Sequence, residues 1–283
     1  HLKKVGEIVH TKDVFLSQTA GYSLLKQAYV GHQWIKKDPG NTAFTNKVKS
    51  CFPFAGIVKA VLLDKCNTMA LRKTKDIIRV HYKVGNHSIH CTDGDDEVLR
   101  IAKVIFNENS LDLLRMGISG SDAFHQRLFQ YRDWLELHDL NGEDFCIDGG
   151  SILDLLGLRD SQDIDFLYHG DETQLPSLPS KIDCHNHISN YHQDSIADII
   201  GDPRLHCWYM GIRFCTPDVL LKMKRARNEK KDLVDVSMLE NKLSTDRSWI
   251  RKTLSRLVYK IYFFSKKIRL LVLIVRKIKS LLR

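Results

Sequence analysis

The stretch from Phe145 to Tyr168 does most to narrow what this chain can fold into, because it imposes four local structures in immediate succession. The apolar run Phe145-Cys146-Ile147 ends on Asp148-Gly149-Gly150-Ser151 and reads as a strand over 144–148 running into a tight turn. Ile152, Leu153, Leu155 and Leu156 then recur at helical spacing, which predicts a helix over 151–157 with Ser151 at its start. Asp163-Ile164-Asp165-Phe166-Leu167-Tyr168 alternates, which predicts a second strand over 163–168. Residues two apart on a strand share a face, so Asp163 and Asp165 are expected to project together, and paired hard oxygen ligands suit a magnesium ion completed by phosphate oxygens. Gly149 and Gly150 permit backbone angles closed to other residues and let an anion approach main-chain N–H groups.

This arrangement, Gly-Gly-Ser followed at a fixed spacing by Asp-x-Asp, resembles the signature of the nucleotidyltransferase superfamily of the DNA polymerase β type. The likeness is specific over Phe145–Tyr168, extends more loosely to about Leu239, and leaves the first 115 or so residues uncovered. It implies a nucleotidyltransferase-like mixed sheet with flanking helices, Mg2+ or Mn2+ held by Asp163 and Asp165, and phosphate held by Gly149, Gly150 and Ser151. Asp183, in the hydrophobic–acid–hydrophobic setting Ile182-Asp183-Cys184, resembles the third acidic position of the family and would complete the site or act as base. A later helix also resembles a recurring element of minimal members of the superfamily, and Lys224, Arg227, Lys231, Asp232 and Asp235 match it. The cations would neutralise a di- or triphosphate while the aspartates hold them by ion pairs. Taken residue by residue, the same pattern also fits a solvated charged helix.

Around this segment the chain divides into three expected parts. Residues 1–117 read as a smaller α/β unit, with strands expected at Val5–Val9, Ile57–Leu63, Ile77–Tyr82 and Ser88–Cys91 and a helix over 93–106. Residues 118–245 form the nucleotidyltransferase-like part. It opens with a linker at Ile118–Ser121 and a helix to about His138, and carries later strands at Lys181–Cys184 and Cys207–Phe214. Thr216-Pro217-Asp218 is a helix start, with a capping hydroxyl, proline at the first helical position and an acid in the first turn. Residues 246–283 read as a basic amphipathic helix, giving an α/β (α+β) chain overall. A beginning at His1 suggests that natural sequence lies upstream.

Charge sharpens this division. The formal net charge is +9, yet from Arg247 onward twelve Lys/Arg stand with no Asp or Glu, so the preceding residues carry 31 basic against 34 acidic side chains. A generally basic nucleic-acid surface is therefore not expected. The tail mixes its cations with large aliphatic and aromatic residues, and its longest uncharged apolar run, Leu270–Val275, is too short to span a bilayer. That composition suits the surface of an anionic membrane, and the expected location is cytoplasmic, peripheral at the inner face. The seven scattered cysteines, free of Cys-x-x-Cys spacing, read as reduced thiols.

A nucleotidyltransferase-like core joined to a membrane-surface helix is similar to the fukutin and phosphocholine-transferase branch of the superfamily, although the acidic motif here lacks the extra preceding acids of that branch. The resemblance implies a metal-dependent transferase in surface polysaccharide or glycan synthesis, with a nucleotide or nucleotide-sugar donor and a lipid-linked glycan acceptor. Two alternatives stand beside it: a non-catalytic scaffold of a glycan-assembly complex, and an enzyme that adds a nucleotide to RNA or protein. Two polar clusters remain outside these readings. Asp183, Cys184, His185, His187 and His192 can be drawn as a zinc site, though their spacing fits no standard ligand pattern; a phosphate-contacting or proton-transferring histidine fits better, and surface-loop histidines are the simplest reading. Lys75-Asp76-Ile77-Ile78-Arg79, His87–His90 and Asn107–Ser110 have the look of a ligand-facing rim on the first unit, or of caps and turn closures.

Overall fold

The computed structural model describes residues 2–30, 42–92 and 94–246, and the chain is mixed α/β. The first sheet is an antiparallel pair, β1 (Glu7–Leu16) with β2 (Gly56–Asp64), which extends the strand expected at Val5–Val9 and confirms the one at Ile57–Leu63. Helices α1 (Gln18–Ala28), α2 (Thr42–Cys51), α3 (Thr68–Tyr82), α4 (Asp95–Ile105) and α5 (Glu108–Met116) complete this part. Val14 and Leu16 from β1, Leu24 and Leu25 from α1, Phe44 and Val48 from α2, and Leu111 and Leu114 from α5 meet in one core.

Two of the four expected strands in this part are absent. Ile77–Tyr82 is the last half of α3, which starts at Asn67, whose side chain accepts the Ala70 N–H. The β-branched run imitated a strand, but a capped start and a helical phase that leaves Thr74 buried decide the conformation. Ser88–Cys91 lies in irregular chain after a tight turn at Gly85–His87, where Ser88 Oγ bonds to Gly85 O rather than joining a ladder.

The second sheet has the order β5-β4-β3-β7-β6, built from β3 (Phe145–Asp148), β4 (Ile164–Tyr168), β5 (Ile182–Cys184), β6 (His206–Tyr209) and β7 (Ile212–Cys215). The continuous strand expected over Cys207–Phe214 is in fact a hairpin. Met210 and Gly211 both take positive φ, 53° and 82°, as the tightest right-twisted hairpin turn requires. Met210 is held there because its N–H donates to Oε1 of the buried Gln27. Helix α6 (Asp122–Leu137) is capped by Ser121 and packs Tyr131 and Trp134 against Phe166 and Phe145. After α7 (Gly150–Leu155) and α8 (Ile196–Gly201), α9 (Pro217–Arg227) begins at Thr216 as expected. It ends at Asn228, in left-handed conformation, before α10 (Lys230–Asp246).

Residues His1–Glu240 form one compact unit, so the joint near Gly117 lies inside it. Several polar contacts tie α5 to the second sheet. Ser110 Oγ accepts the Trp208 N–H, Asn107 donates to the carbonyls of Pro203 and His206, and Trp208 itself closes the core of the first part. Among the described residues, no helix is long and apolar enough to cross a membrane. The basic tail from Arg247 lies outside the described residues.

Candidate active site

Three neighbouring strands assemble the site. Asp148 is the last residue of β3 and faces Asp165 across the antiparallel ladder, while parallel β5 sets Asp183 beside Asp165 on the other side. Asp163 lies just ahead of β4, two residues from Asp165 and in phase with it. Asp163, Asp165 and Asp183 each offer one carboxylate oxygen, and these oxygens lie within 4.8 Å of one another. The two residues of the Asp-x-Asp pair and the third acid from a separate strand thus reach a single place. Asp183 is exposed, Asp163 half-buried and Asp165 buried, so the cluster opens to solvent on one side.

Like charges in this setting are costly. Burial pushes the Asp165 carboxyl up to about 7, and the charges of Asp163, Asp148 and Asp183 push the same way, against one favourable hydrogen bond from the Gly150 N–H. His185 Nε2 stands 3.1 Å from Asp165 Oδ1. Burial lowers the His185 pKa, so near neutral pH a neutral imidazole faces a carboxyl close to its midpoint. Asp148 behaves in the opposite way. Its burial would raise it, but His192 Nε2 at 3.0 Å, the charge on that ring and the Gly149 N–H together hold it below the ordinary range. Asp148 and the His192 side chain are almost wholly buried, and Asp148 Oδ1, His185 Nδ1 and His192 Nδ1 have no hydrogen-bond partner among the described residues.

The glycine turn serves this carboxylate cluster. Gly149 has φ 66° and ψ −145°, a conformation that side chains resist, and a β-carbon there would overlap Asp165 Oδ2. The Gly150 N–H, expected to face phosphate, donates to Asp165. Ser151, also expected to hold phosphate, is fully buried, and its Oγ donates to the main-chain oxygen of Asp163. The Gly-Gly-Ser segment therefore fixes the two residues of the Asp-x-Asp pair, one through a main-chain donor and the other through a hydroxyl.

No family model, curated protein or solved structure matches the chain.

A chain of ion pairs runs beside the carboxylates. Arg159 grips Asp235 with two hydrogen bonds of 2.7 and 2.9 Å, Lys224 lies 2.8 Å from Asp235 and 2.9 Å from Asp232, and Arg227 contacts Asp232 at 2.7 Å. The aspartates hold the cations, as the sequence suggested, but they also occupy them. Lys224 is buried between two carboxylates, whereas Lys231 is exposed and, among the described residues, pairs with Glu229. Arg159 is the cation nearest the turn, with its guanidinium nitrogens 3.5 Å from where a Gly150 β-carbon would sit. Sequence reasoning missed Arg159 and Asp148 as participants, and it singled out His192 without its partner Asp148. Arg159 sits in an irregular loop, and the roles of Asp148 and His192 depend on strand register and loop return, which no single segment encodes. The zinc grouping does not form: His185 and His192 go to different aspartates, and among the described residues only Asp163, Asp165 and Asp183 gather as three ligands.

Proposed function

We propose that this protein is a metal-dependent nucleotidyl- or phospho-group transferase of the nucleotidyltransferase type. The observation that carries the reading is the convergence of Asp163, Asp165 and Asp183 within 4.8 Å from two adjacent strands. The donor set fits a hard divalent cation, since it consists of carboxylate oxygens, one of them raised to about 7 by burial and its acidic neighbours. Asp163, Asp165 and Asp183 would hold Mg2+ or Mn2+, which supplies charge neutralisation for a phosphorus group in transfer. The chain's own residues do the rest. Gly149 and Gly150 clear and orient Asp165, and His185 Nε2 braces the same carboxyl at 3.1 Å. Arg159 and Arg227 add positive charge along one flank, where polyphosphate charge is best offset.

The acceptor side of the proposal is surface polysaccharide or glycan, reached from the cytoplasmic face of a membrane to which residues 247–283 attach. Its support is the cationic and apolar composition of that tail. Calorimetric titration of Mg2+ and Mn2+ with a panel of nucleotides and nucleotide-sugars tests the chemistry. Metal-dependent binding by the chain that the Asp163→Asn/Asp165→Asn variant loses supports the proposal, and absence of binding to both overturns it. Sedimentation with phosphatidylserine vesicles, compared with neutral phosphatidylcholine vesicles, tests the attachment, and equal recovery in both pellets defeats it.

A further inference from the structure

The first part of the chain has a cavity of its own. About 550 Å³ in volume, it is lined by Lys47 and Ser50 on α2, Arg79 near the end of α3, Asn86 and His87 on the following turn, and Tyr29 after α1. That volume matches a small-molecule pocket. The lining is one-sided in charge: three basic groups converge, joined by amide and hydroxyl side chains, and no acidic residue lines the cavity among the described residues.

The basic groups are held together at a cost. Lys47 Nζ donates to the Asn86 carbonyl at 2.6 Å and stands 3.5 Å from His87 Nδ1, so the ammonium and the imidazole share one corner. Burial, and then the Lys47 charge, lower the His87 pKa. Arg79 is three-quarters covered, its contact with Asp76 is long at 3.4 Å, and its buried Nε has no partner among the described residues. A guanidinium with one long ion pair, beside a second cation in the same pocket, is what an oxyanion relieves.

We propose that this cavity is a binding site for a phosphate-bearing small molecule, with Arg79 and Lys47 receiving the phosphate and Asn86, Ser50 and Tyr29 facing the rest of the ligand. The site is independent of the carboxylate cluster, because none of its lining residues belongs to the second sheet or to the helices around it. Two members of the polar rim legible in the sequence, Arg79 and His87, come together here. Asn107, by contrast, is a helix cap that also braces the Pro203 carbonyl.

The test is calorimetric titration of the whole chain with inorganic phosphate, glucose 1-phosphate and ADP, without added metal. At least one probe is expected to bind, with affinity roughly tenfold or more weaker in Arg79→Gln and in Lys47→Gln. The Asp163→Asn/Asp165→Asn variant is expected to bind it unchanged. Phosphate alone as the tightest ligand would identify a free-anion site, and tighter binding of an ester would show that the neutral lining also contributes. Binding that survives both cation substitutions, binding lost in the aspartate variant, or no binding by any probe overturns the proposal. Should a variant fail to fold, the His87 ring resonances of the unaltered protein decide: they shift on saturation with the bound probe, and an unmoved His87 refutes the site.

Discussion

Two groups of aspartates lie near the glycine turn, and they obey opposite electrostatics. Asp163, Asp165 and Asp183 stand together, and Asp165 is driven up to about 7. Asp232 and Asp235 stand among Lys224, Arg227 and Arg159, and both are held below the ordinary carboxylate range despite burial that acts the other way. The second group is complete in that each carboxylate is held by two cations, and three cations against two carboxylates leave it a positive balance. The first is incomplete, and its repulsion falls on Asp165, whose buried carboxyl strand register and the Gly149 turn hold beside its acidic neighbours. Unrelieved charge held by rigid elements marks a site, whereas relieved charge marks a support.

The largest expected difference comes from breaking the complete group. Asp232→Asn leaves Lys224, itself buried, and Arg227 with one charged partner fewer, and stability is expected to fall by about 3–5 kcal/mol. Urea denaturation followed by circular dichroism measures it, and a loss below about 1 kcal/mol would place this network with surface pairs instead.

Removing a charge from the incomplete group should do the reverse. The folded value of Asp165 lies above the 3.8 of an ordinary aspartate, so the folded state holds that proton more tightly than the unfolded chain does. The contribution of Asp165 to the stability of the metal-free protein is therefore expected to be lost as pH rises from about 4 to about 7, by at most on the order of 4 kcal/mol, while His87, His125, His185 and His206, whose pKa values burial lowers, contribute the opposite slope. Asp165→Asn is expected to remove the Asp165 contribution and to raise the melting temperature at pH 8 by several degrees. The same substitution is expected to abolish the metal binding proposed above. Thermal melts of both proteins at pH 5 and pH 8 in a chelator check it, and parallel pH profiles would show that Asp165 is not the group responsible.

The two groups were also unequally legible in the sequence. Asp163 and Asp165 announce themselves through alternation and a glycine turn, and the strands, helix and cap around them are local properties of Phe145–Tyr168. Asp183 could be proposed from its apolar neighbours, but its place beside Asp165 is a register, fixed only when β5 pairs with β4. Asp148 and His192 were unreadable as a pair because they are far apart in sequence and meet only when the loop after β5 returns over β3. Ile77–Tyr82 misled for a related reason. β-branched residues favour strands only where a ladder awaits them, and here Asn67 had already started a helix. The hairpin at Met210-Gly211 lacked the usual Asn-Gly signal, since Met210 accepts its positive φ through a bond to Gln27, far away in the chain.

The smallest expected effect tests whether Gly149 serves the carboxylates or merely the turn. Gly149→Ala should cost about 1–3 kcal/mol, from a backbone conformation that alanine avoids together with overlap against Asp165. In an Asp165→Ala background the overlap with the carboxyl group disappears and the backbone part remains, together with a tight 3.1 Å approach to the β-carbon of residue 165, so the two substitutions should couple, by about 0.5 kcal/mol or more. Gly150→Ala is the control, because its β-carbon would meet the movable end of Arg159 at 3.5 Å, an ordinary contact. If Gly149→Ala weakens metal binding while Gly150→Ala does not, the turn sets the position of Asp165 relative to Asp163 and Asp183. If the two glycine substitutions act alike and Gly149 shows no coupling to Asp165, the turn acts on the chain path alone, and the crowding at Asp165 must be enforced by strand register.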